Sequence, residues 1–111
     1  MKESLPKVIK KKEEIEETIQ QGEKRKGKYL LGFVRPYSQE NFSFCILINR
    51  KIKKAVERNR IKRLLREIVR KNKEIFRTKG RIALLYISRS AETSYSELEN
   101  DLKGMFYEND R

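Results

Sequence analysis

The side chains in this sequence that could do chemistry are mainly cations, and they are concentrated in one segment. Residues 50–81 contain 15 lysines and arginines against 3 acidic residues, whereas the rest of the chain contains 13 of each. Ammonium and guanidinium groups bind phosphate oxygens, and the planar guanidinium also stacks on exposed bases. Because this segment carries the whole net charge of +12, we expect it to bind a polyanion.

The cations of this segment follow a helical spacing. Arg58, Lys62 and Arg66 are four residues apart, so on a helix they form one row along its surface. Apolar side chains recur between them at the spacing of a buried helix stripe. The pattern predicts a packed helix with a cationic face, and structured RNA is the leading partner. A solvated helix face is the alternative, which we disfavour because only two acidic residues interrupt residues 50–73.

The composition excludes several kinds of catalytic site. With no histidine and a single cysteine, Cys45, a protein zinc site is close to impossible and histidine-based acid–base catalysis is impossible. The four glutamates between positions 13 and 17 flank lysines, and we interpret them as solvated surface rather than paired catalytic carboxylates. We therefore expect no catalytic residue, no metal and no cofactor in the protein itself. If the protein takes part in catalysis, another molecule breaks the bond.

Length and composition favour one small domain, residues 1–111, with a flexible tail at residues 1–8. A charged fraction of 40% and an apolar fraction of 37% predict a thin core, and a pI near 10 favours nucleic acid or an anionic membrane as partner. The first residues lack the apolar segment of a signal peptide, and no apolar run reaches the roughly 18 residues that span a bilayer. Together with the single cysteine, these features predict a cytoplasmic protein.

The periodicity of apolar residues predicts six elements in the order α-β-β-α-β-α. They are an amphipathic helix within residues 1–26 that stops at Gly22, strands at 28–35 and 42–49, the basic helix at about 53–76, a buried strand at 82–87, and a last helix after a capping box of Ser94 and Glu97. A turn or hairpin connection is predicted at residues 36–41.

Alternation within the strands separates a core face from a face that could bind a ligand. In the strand at 42–49, the apolar face that we expect in the core consists of Phe42, Phe44, Ile46 and Ile48. The opposite face is mixed and could be open to a ligand. The stripe that the basic helix is expected to bury consists of Ala55, Ile61, Leu64, Leu65, Ile68, Ile75 and Phe76.

The basic segment also carries a specific motif. The run Ile52-x-x-Ala55-x-x-Arg58-Asn59-Arg60-Ile61-Lys62-Arg63-x-Leu65-Arg66 resembles the signature of the bacterial ribonuclease P protein component. The resemblance extends to Arg50-Lys51 before the helix and to Arg89 after the following strand. It covers about residues 9–106 and is most specific at 50–66.

The resemblance implies an α/β domain of the two-layer α+β type, in which a mixed sheet packs against the basic helix. This fold is similar to domain 2 of ribosomal protein S5. It is expected to have a left-handed crossover from the strand before the basic helix to the strand after it. Ordinary βαβ units are right-handed in about 98% of cases, so this hand enters by resemblance alone.

The resemblance also implies a function. It predicts the protein subunit of ribonuclease P, which assists a catalytic RNA in removing the 5′ leader of precursor tRNA. In that enzyme the RNA performs phosphodiester hydrolysis with bound Mg²⁺, and the protein contributes binding. The implied partners are ribonuclease P RNA and precursor tRNA, with no membrane and no DNA expected.

Two groups of site residues follow. The residues expected to contact the catalytic RNA are Arg50, Lys51, Lys54, Arg58, Asn59, Arg60, Lys62, Arg63 and Arg66. The residues expected in a leader-binding cleft between the N-terminal helix and the sheet are Ile15, Ile19, Phe33, Cys45, Leu47, Asn49 and Arg89. Phe33 is the preferred leader contact, because an aromatic side chain on a sheet stacks a base for about 1–3 kcal/mol. Ordinary packing is the alternative for the cleft residues, and for Cys45 we favour a small buried side chain over a reactive thiol.

Two other functions fit parts of the sequence. A different RNA-binding module, such as a ribosomal or assembly protein, would have the same composition, and a processing assay separates it from a ribonuclease P subunit. A helix that binds DNA or an anionic membrane is disfavoured, because the basic helix has no aromatic anchor before Phe76 and its apolar stripe is needed for the core.

Overall fold

The computed structural model describes residues 7–35, 43–76 and 80–107, which form one sheet and four helices. In chain order the elements are β1 (Lys7–Val8), α1 (Lys12–Gln21), β2 (Glu23–Lys26), β3 (Leu30–Arg35), β4 (Ser43–Ile48), α2 (Ala55–Lys71), α3 (Lys73–Phe76), β5 (Arg81–Tyr86) and α4 (Tyr95–Tyr107).

The five strands form a mixed sheet in the order β1-β4-β5-β3-β2. β4 runs parallel to β1 and β5, whereas β3 runs antiparallel to β5 and β2. The central strand β5 pairs Ala83 with Cys45 on one side and with Phe33 on the other, so these three side chains share a face. The small α+β domain with a mixed sheet is thus confirmed, and the hand of the crossover from β4 through α2 to β5 stays a prediction.

Three helices cover one face of the sheet and form the main core. α2 contributes Ile61, Leu65, Ile68 and Val69, and these side chains pack with residues from α3, α4 and the three inner strands. Phe44 of β4 is buried in this cluster, and Ile46 and Ile48 are half-buried against it, as alternation predicts. Burying one leucine or isoleucine stabilises a fold by about 1.5–3 kcal/mol, so this cluster supplies most of the hydrophobic stabilisation.

The opposite face of the sheet carries a smaller apolar cluster under α1. Ile9, Cys45 and Ala83 are buried there, and the half-buried side chains packed against them are Ile15, Ile19 and Phe33. α1 therefore lies on the face opposite to α2, α3 and α4, across β3 and β5.

Two contacts fix the start and the turn of the hairpin of β2 and β3. The N–H of Gly22 donates to the carbonyl oxygen of Thr18 and ends α1, and a Cβ at Gly22 would lie 2.4 Å from that oxygen. The turn after β2 is held from α4, where the carboxylate of Asp101 accepts the N–H groups of Lys28, Tyr29 and Leu30 at 2.6, 2.8 and 3.1 Å.

Several details differ from the sequence prediction. The strands β1 and β2 were not predicted, and Lys7–Val8 pairs with β4 although we placed both residues in a flexible tail. Residues 1–6 of that tail lie outside the described residues. The predicted connection at 36–41, also outside them, does not join a hairpin, because β3 and β4 each pair with β5.

The basic helix is shorter than predicted and is followed by a separate turn of helix. α2 ends at Lys71, Asn72 caps it, and α3 holds Ile75 and Phe76 in the core. The assignment of Ala55 to the buried stripe is wrong, because this residue is exposed in the first turn. Val69, which we did not assign to the stripe, is buried.

The capping box at the start of α4 is confirmed. The N–H of Ser94 donates to the Glu97 carboxylate at 3.0 Å, and the N–H of Glu97 donates to the Ser94 hydroxyl at 3.1 Å. The hydrogen bonds from Ser94 and from the Tyr29 hydroxyl lower the pKa of Glu97. The loop between β5 and α4 therefore ends at a fixed point.

Candidate nucleic-acid interface

The outer face of α2 presents cations to solvent. Arg66 lies away from the inner side of the helix, where Ile61, Leu65 and Ile68 are fully buried, and Arg58 lies in the first turn; both arginines are exposed. Arg66 comes eight residues after Arg58, so at a rise of 1.5 Å per residue the two are about 12 Å apart along the helix axis. Asn59 and Arg63 are exposed beside this row, and Lys62 is half-buried within it.

The arginines of this face have no acidic partner in the part of the chain that the structure describes. Within the described residues, no carboxylate forms an ion pair with Arg58, Arg63 or Arg66. Their charges are therefore available to an external anion, on a helix that its buried stripe fixes to the core.

The turn before α2 extends this cationic surface. Asn49 builds the turn, because its side-chain amide donates to the Ile87 carbonyl at 2.8 Å while its Oδ1 accepts the N–H of Lys51 at 3.0 Å. Arg50, Lys51 and Lys54 are exposed. Since the oxygen and the nitrogen of the Asn49 side chain both form hydrogen bonds within the protein, this residue positions the turn. The exposed cations beside it are available to bind a ligand.

A cavity of about 570 Å³ opens next to this turn. The residues that line it lie at the end of β4 and just beyond it (Leu47, Ile48, Asn49 and Arg50) and at the end of β5 and just beyond it (Leu85, Tyr86 and Ile87). These are the carboxyl ends of two adjacent parallel strands, where α/β sheets commonly bind ligands. An apolar floor with Arg50 at its edge suits a flat base attached to a charged backbone.

The structure divides the predicted leader cleft into two parts. Ile15, Ile19 and Phe33 lie together around the buried Cys45 beneath α1. Leu47 and Asn49 line the open cavity, whereas Arg89 is exposed in the loop after β5.

Cys45 lies below the surface of the predicted cleft. Only 4% of its surface is exposed, and burial raises the pKa of its thiol to about 11. The thiol therefore stays protonated and inert at neutral pH, in agreement with our preference for a small buried side chain.

Ion pairs hold α1 against the sheet, which the sequence interpretation missed. Glu17 lies 2.7 Å from Arg35 and 3.3 Å from Arg81, and Glu14 lies 3.6 Å from Arg81. We had assigned both glutamates to solvated surface. Arg35 and Arg81 are paired across β3 and β5, on the face that carries Phe33. Strand alternation combined with the helical spacing of the acids could have indicated this contact.

Arg60 differs from its neighbours in the motif. Its two terminal nitrogens donate to the carbonyl oxygens of Ala91 and Thr93 at 2.8 and 3.0 Å. The side chain is half-buried and directed to the loop before α4. We had grouped it with the RNA contacts, but its guanidinium is engaged within the protein.

The residues 7–35, 43–76 and 80–107 show neither a metal centre nor a membrane span. No group of three or more acidic or cysteine side chains in these ranges could hold a metal ion. No helix there combines the length and the apolar character that crossing a bilayer requires.

Comparison with known proteins identifies the family. A family model described as Ribonuclease P matches residues 5–109. The chain belongs to the ribonuclease P protein family. Among curated relatives, the ribonuclease P protein component of Syntrophomonas wolfei is 31% identical over 93 residues, which cover 84% of this chain and 78% of the relative. That of Clostridium kluyveri is 29% identical over 99 residues, covering 87% and 88%.

Solved structures of ribonuclease P proteins share the fold. The RNase P protein of Staphylococcus aureus superposes with a TM-score of 0.81 at 20% identity, covering 93% of this chain and 94% of that one. The RNase P protein of Thermotoga maritima gives a TM-score of 0.74 at 20% identity, with 85% and 89% covered. The resemblance inferred from the motif at residues 52–66 is therefore confirmed at the level of family and fold.

Proposed function

We propose that this chain is the protein subunit of ribonuclease P and that it assists a catalytic RNA in the endonucleolytic removal of the 5′ leader from precursor tRNA. The observation that carries the proposal is the group of exposed arginines on α2, with no acidic partner among the described residues, in a chain of the ribonuclease P family. We place the protein in the cytoplasm, as its single cysteine favours.

The cationic surface of α2 and the preceding turn is assigned to the catalytic RNA. Arg58, Arg63 and Arg66 supply guanidinium groups for phosphate oxygens, and the exposed Asn59 suits a base edge or a 2′-hydroxyl. Each phosphate that the protein neutralises releases counterions, so affinity for the RNA falls steeply with salt. Arg50, Lys51 and Lys54 continue the same surface towards the cavity.

The leader of precursor tRNA is assigned to the other side of that turn. The cavity beside Leu47 and Leu85 gives an apolar floor for an unpaired base, and Arg50 at its edge suits the adjoining phosphate. Phe33 is half-buried on the same sheet face, so part of its ring remains accessible for stacking. A single strand lying from Phe33 to the cavity would leave the catalytic-RNA surface free.

Hydrolysis is assigned to the RNA subunit, with Mg²⁺ held by that RNA. The protein contributes binding and orientation, which raise the local concentration of the substrate at the reacting centre. The absence of histidine from the sequence agrees with this division, because the commonest general acid–base side chain is missing.

The test is reconstitution of cleavage with a bacterial ribonuclease P RNA and precursor tRNA at low Mg²⁺. The full chain should restore site-specific cleavage, and the chain without RNA should give no product above a metal-only control. Loss of three α2 cations in Arg58→Met, Arg63→Met and Arg66→Met combined should abolish the restoration. Failure of the unaltered chain to stimulate cleavage would contradict the proposal.

A matched control distinguishes this surface from bulk charge. Lys24, Lys26 and Lys28 are exposed on and after the edge strand β2, so replacing all three by methionine removes the same charge elsewhere. This control should retain most of the stimulation. Equal losses in both triple variants would show that net charge, and not the α2 surface, binds the RNA.

A further inference from the structure

Arg60 links α2 to the loop between β5 and α4. Both terminal nitrogens of its guanidinium donate to carbonyl oxygens of that loop, those of Ala91 and Thr93. These oxygens are two residues apart, so one planar fork engages both. To bind a phosphate with these two nitrogens, Arg60 would have to break both hydrogen bonds. The two carbonyl oxygens would then lose their donor.

The same loop is held from below by β5. The hydroxyl of the buried Tyr86 donates to the Ser90 carbonyl at 2.6 Å and also contacts the hydroxyl of Thr93. Thr93 is buried, and Ala91 packs against the main core. The loop is therefore fixed at 90, 91 and 93 by contacts on its inner side.

Arg89 lies on the outer side of this fixed loop. It is exposed, and within the described residues no acid or carbonyl engages it. Arg89 lies two residues after Ile87, which lines the cavity and whose carbonyl oxygen accepts a hydrogen bond from the side-chain amide of Asn49. Its backbone is thus anchored on both sides, at 87 and at 90, while its side chain is free to bind an anion that reaches the cavity.

We infer that Arg60 is a positioning residue for substrate binding, which together with Tyr86 fixes the loop at 88–93 so that Arg89 meets a phosphate of the precursor-tRNA leader. The inference rests on the proposed function, since it takes the leader as the ligand of Arg89. Ordering the loop before binding removes part of the entropy that binding would otherwise cost. Within the Arg-Asn-Arg motif, Arg60 therefore contributes to leader binding indirectly, by positioning Arg89.

The test compares precursor and mature tRNA on the assembled enzyme at constant Mg²⁺. The ratio of the two affinities isolates the leader, and its dependence on monovalent salt counts leader phosphates, at about 0.7 in log–log slope per contact on a single strand. Arg89→Met should lower this slope by about 0.7. Arg60→Met should lower it nearly as much, and the double variant no further than either single change.

Three outcomes would overturn the inference. A double variant that loses about twice the slope would show that Arg60 contacts a phosphate itself. A slope unchanged by Arg60→Met would remove its role in leader binding. A slope unchanged by Arg89→Met would show that Arg89 contacts no leader phosphate, so that Arg60 could not act through it. The proposed function would still stand if the unaltered chain restores cleavage.

Loop order gives a readout that does not depend on RNA. Arg60→Met should speed amide exchange in residues 88–93, and Arg89→Met should leave it unchanged. If Arg60→Met folds poorly, Arg60→Lys serves instead, because it keeps the charge and loses the planar fork. A lysine variant with faster loop exchange and a lowered slope supports positioning. Wild-type values of both would contradict it.

Discussion

On one face of the sheet, helices α2, α3 and α4 share a cluster of 17 buried apolar side chains among the described residues; on the other, α1 covers a cluster of three. The second face is completed by half-buried side chains and by ion pairs from Glu14 and Glu17. The proposed leader site lies on this lightly covered face. We therefore expect substitutions on the first face to affect stability and substitutions on the second to affect the proposed binding of substrate.

The largest effect should come from the densely packed face. Leu65→Ala removes a fully buried side chain of α2, and the unfilled cavity should lower the free energy of unfolding by about 2–5 kcal/mol. Urea denaturation measures the loss. The matched change Val56→Ala, at a position 79% exposed on the same helix, should cost little. Comparable losses at the two positions would contradict our assignment of the helix faces.

The lightly covered face should show its effect in binding. Phe33→Ala should weaken binding of leader-bearing precursor tRNA to the assembled enzyme by about 1–3 kcal/mol, because a stacking surface is lost. Mature tRNA should bind as before, since it lacks the leader. Leu31→Ala, at another half-buried position of the same strand face, is the control. If both tRNAs lose affinity equally, Phe33 serves packing alone.

Cys45 should make the stability of the lightly covered face depend on pH in the alkaline range. Burial raises its pKa from 9.0 to about 11, so the folded state favours the neutral thiol. The resulting stability is fully present below pH 9 and is lost as pH rises towards 11, on the order of 2 kcal/mol in total. Denaturation at pH 8 and pH 11 should show a larger loss for the wild type than for Cys45→Ala. Equal losses would show that the thiol is not the group responsible.

The smallest effect should come from the ion pairs of α1. Arg35→Met removes a partner of Glu17, and partly exposed ion pairs contribute only about 0.2–1 kcal/mol. Amide exchange should accelerate in α1 and remain unchanged in α2. The wild type should approach the variant in high salt, because screening weakens the same contact. Exchange that accelerates equally in both helices would indicate global destabilisation.

The elements with strong apolar periodicity were predictable from sequence, and those defined by pairing were not. The stripe of α2 and the alternation in β4 place their own side chains, since each is a local pattern. β2 consists of Glu23–Lys26, four charged residues without an apolar face, and it is a strand because β3 offers it an edge. The local sequence of β2 does not indicate that β3 will be its partner.

The same distinction applies to the candidate site. The exposure of Arg63 and Arg66 follows from the helical period alone, because both lie away from the buried stripe of α2. Arg60 has the same chemistry and lies in the same motif, but its role depends on a loop 31 and 33 residues later in the chain. Side-chain type predicts which residues can bind RNA, and only the tertiary arrangement shows which of them the protein already uses.

The carboxylate of Asp101 has a consequence for folding during synthesis. It accepts N–H groups that lie 71 to 73 residues earlier, so the turn between β2 and β3 is completed only after most of the chain has been made. At about 5–20 residues per second, that interval lasts seconds on the ribosome. Until then, the early strands lack both this clasp and their central partner β5. The nascent chain is therefore expected to close its sheet late, from the C-terminal side.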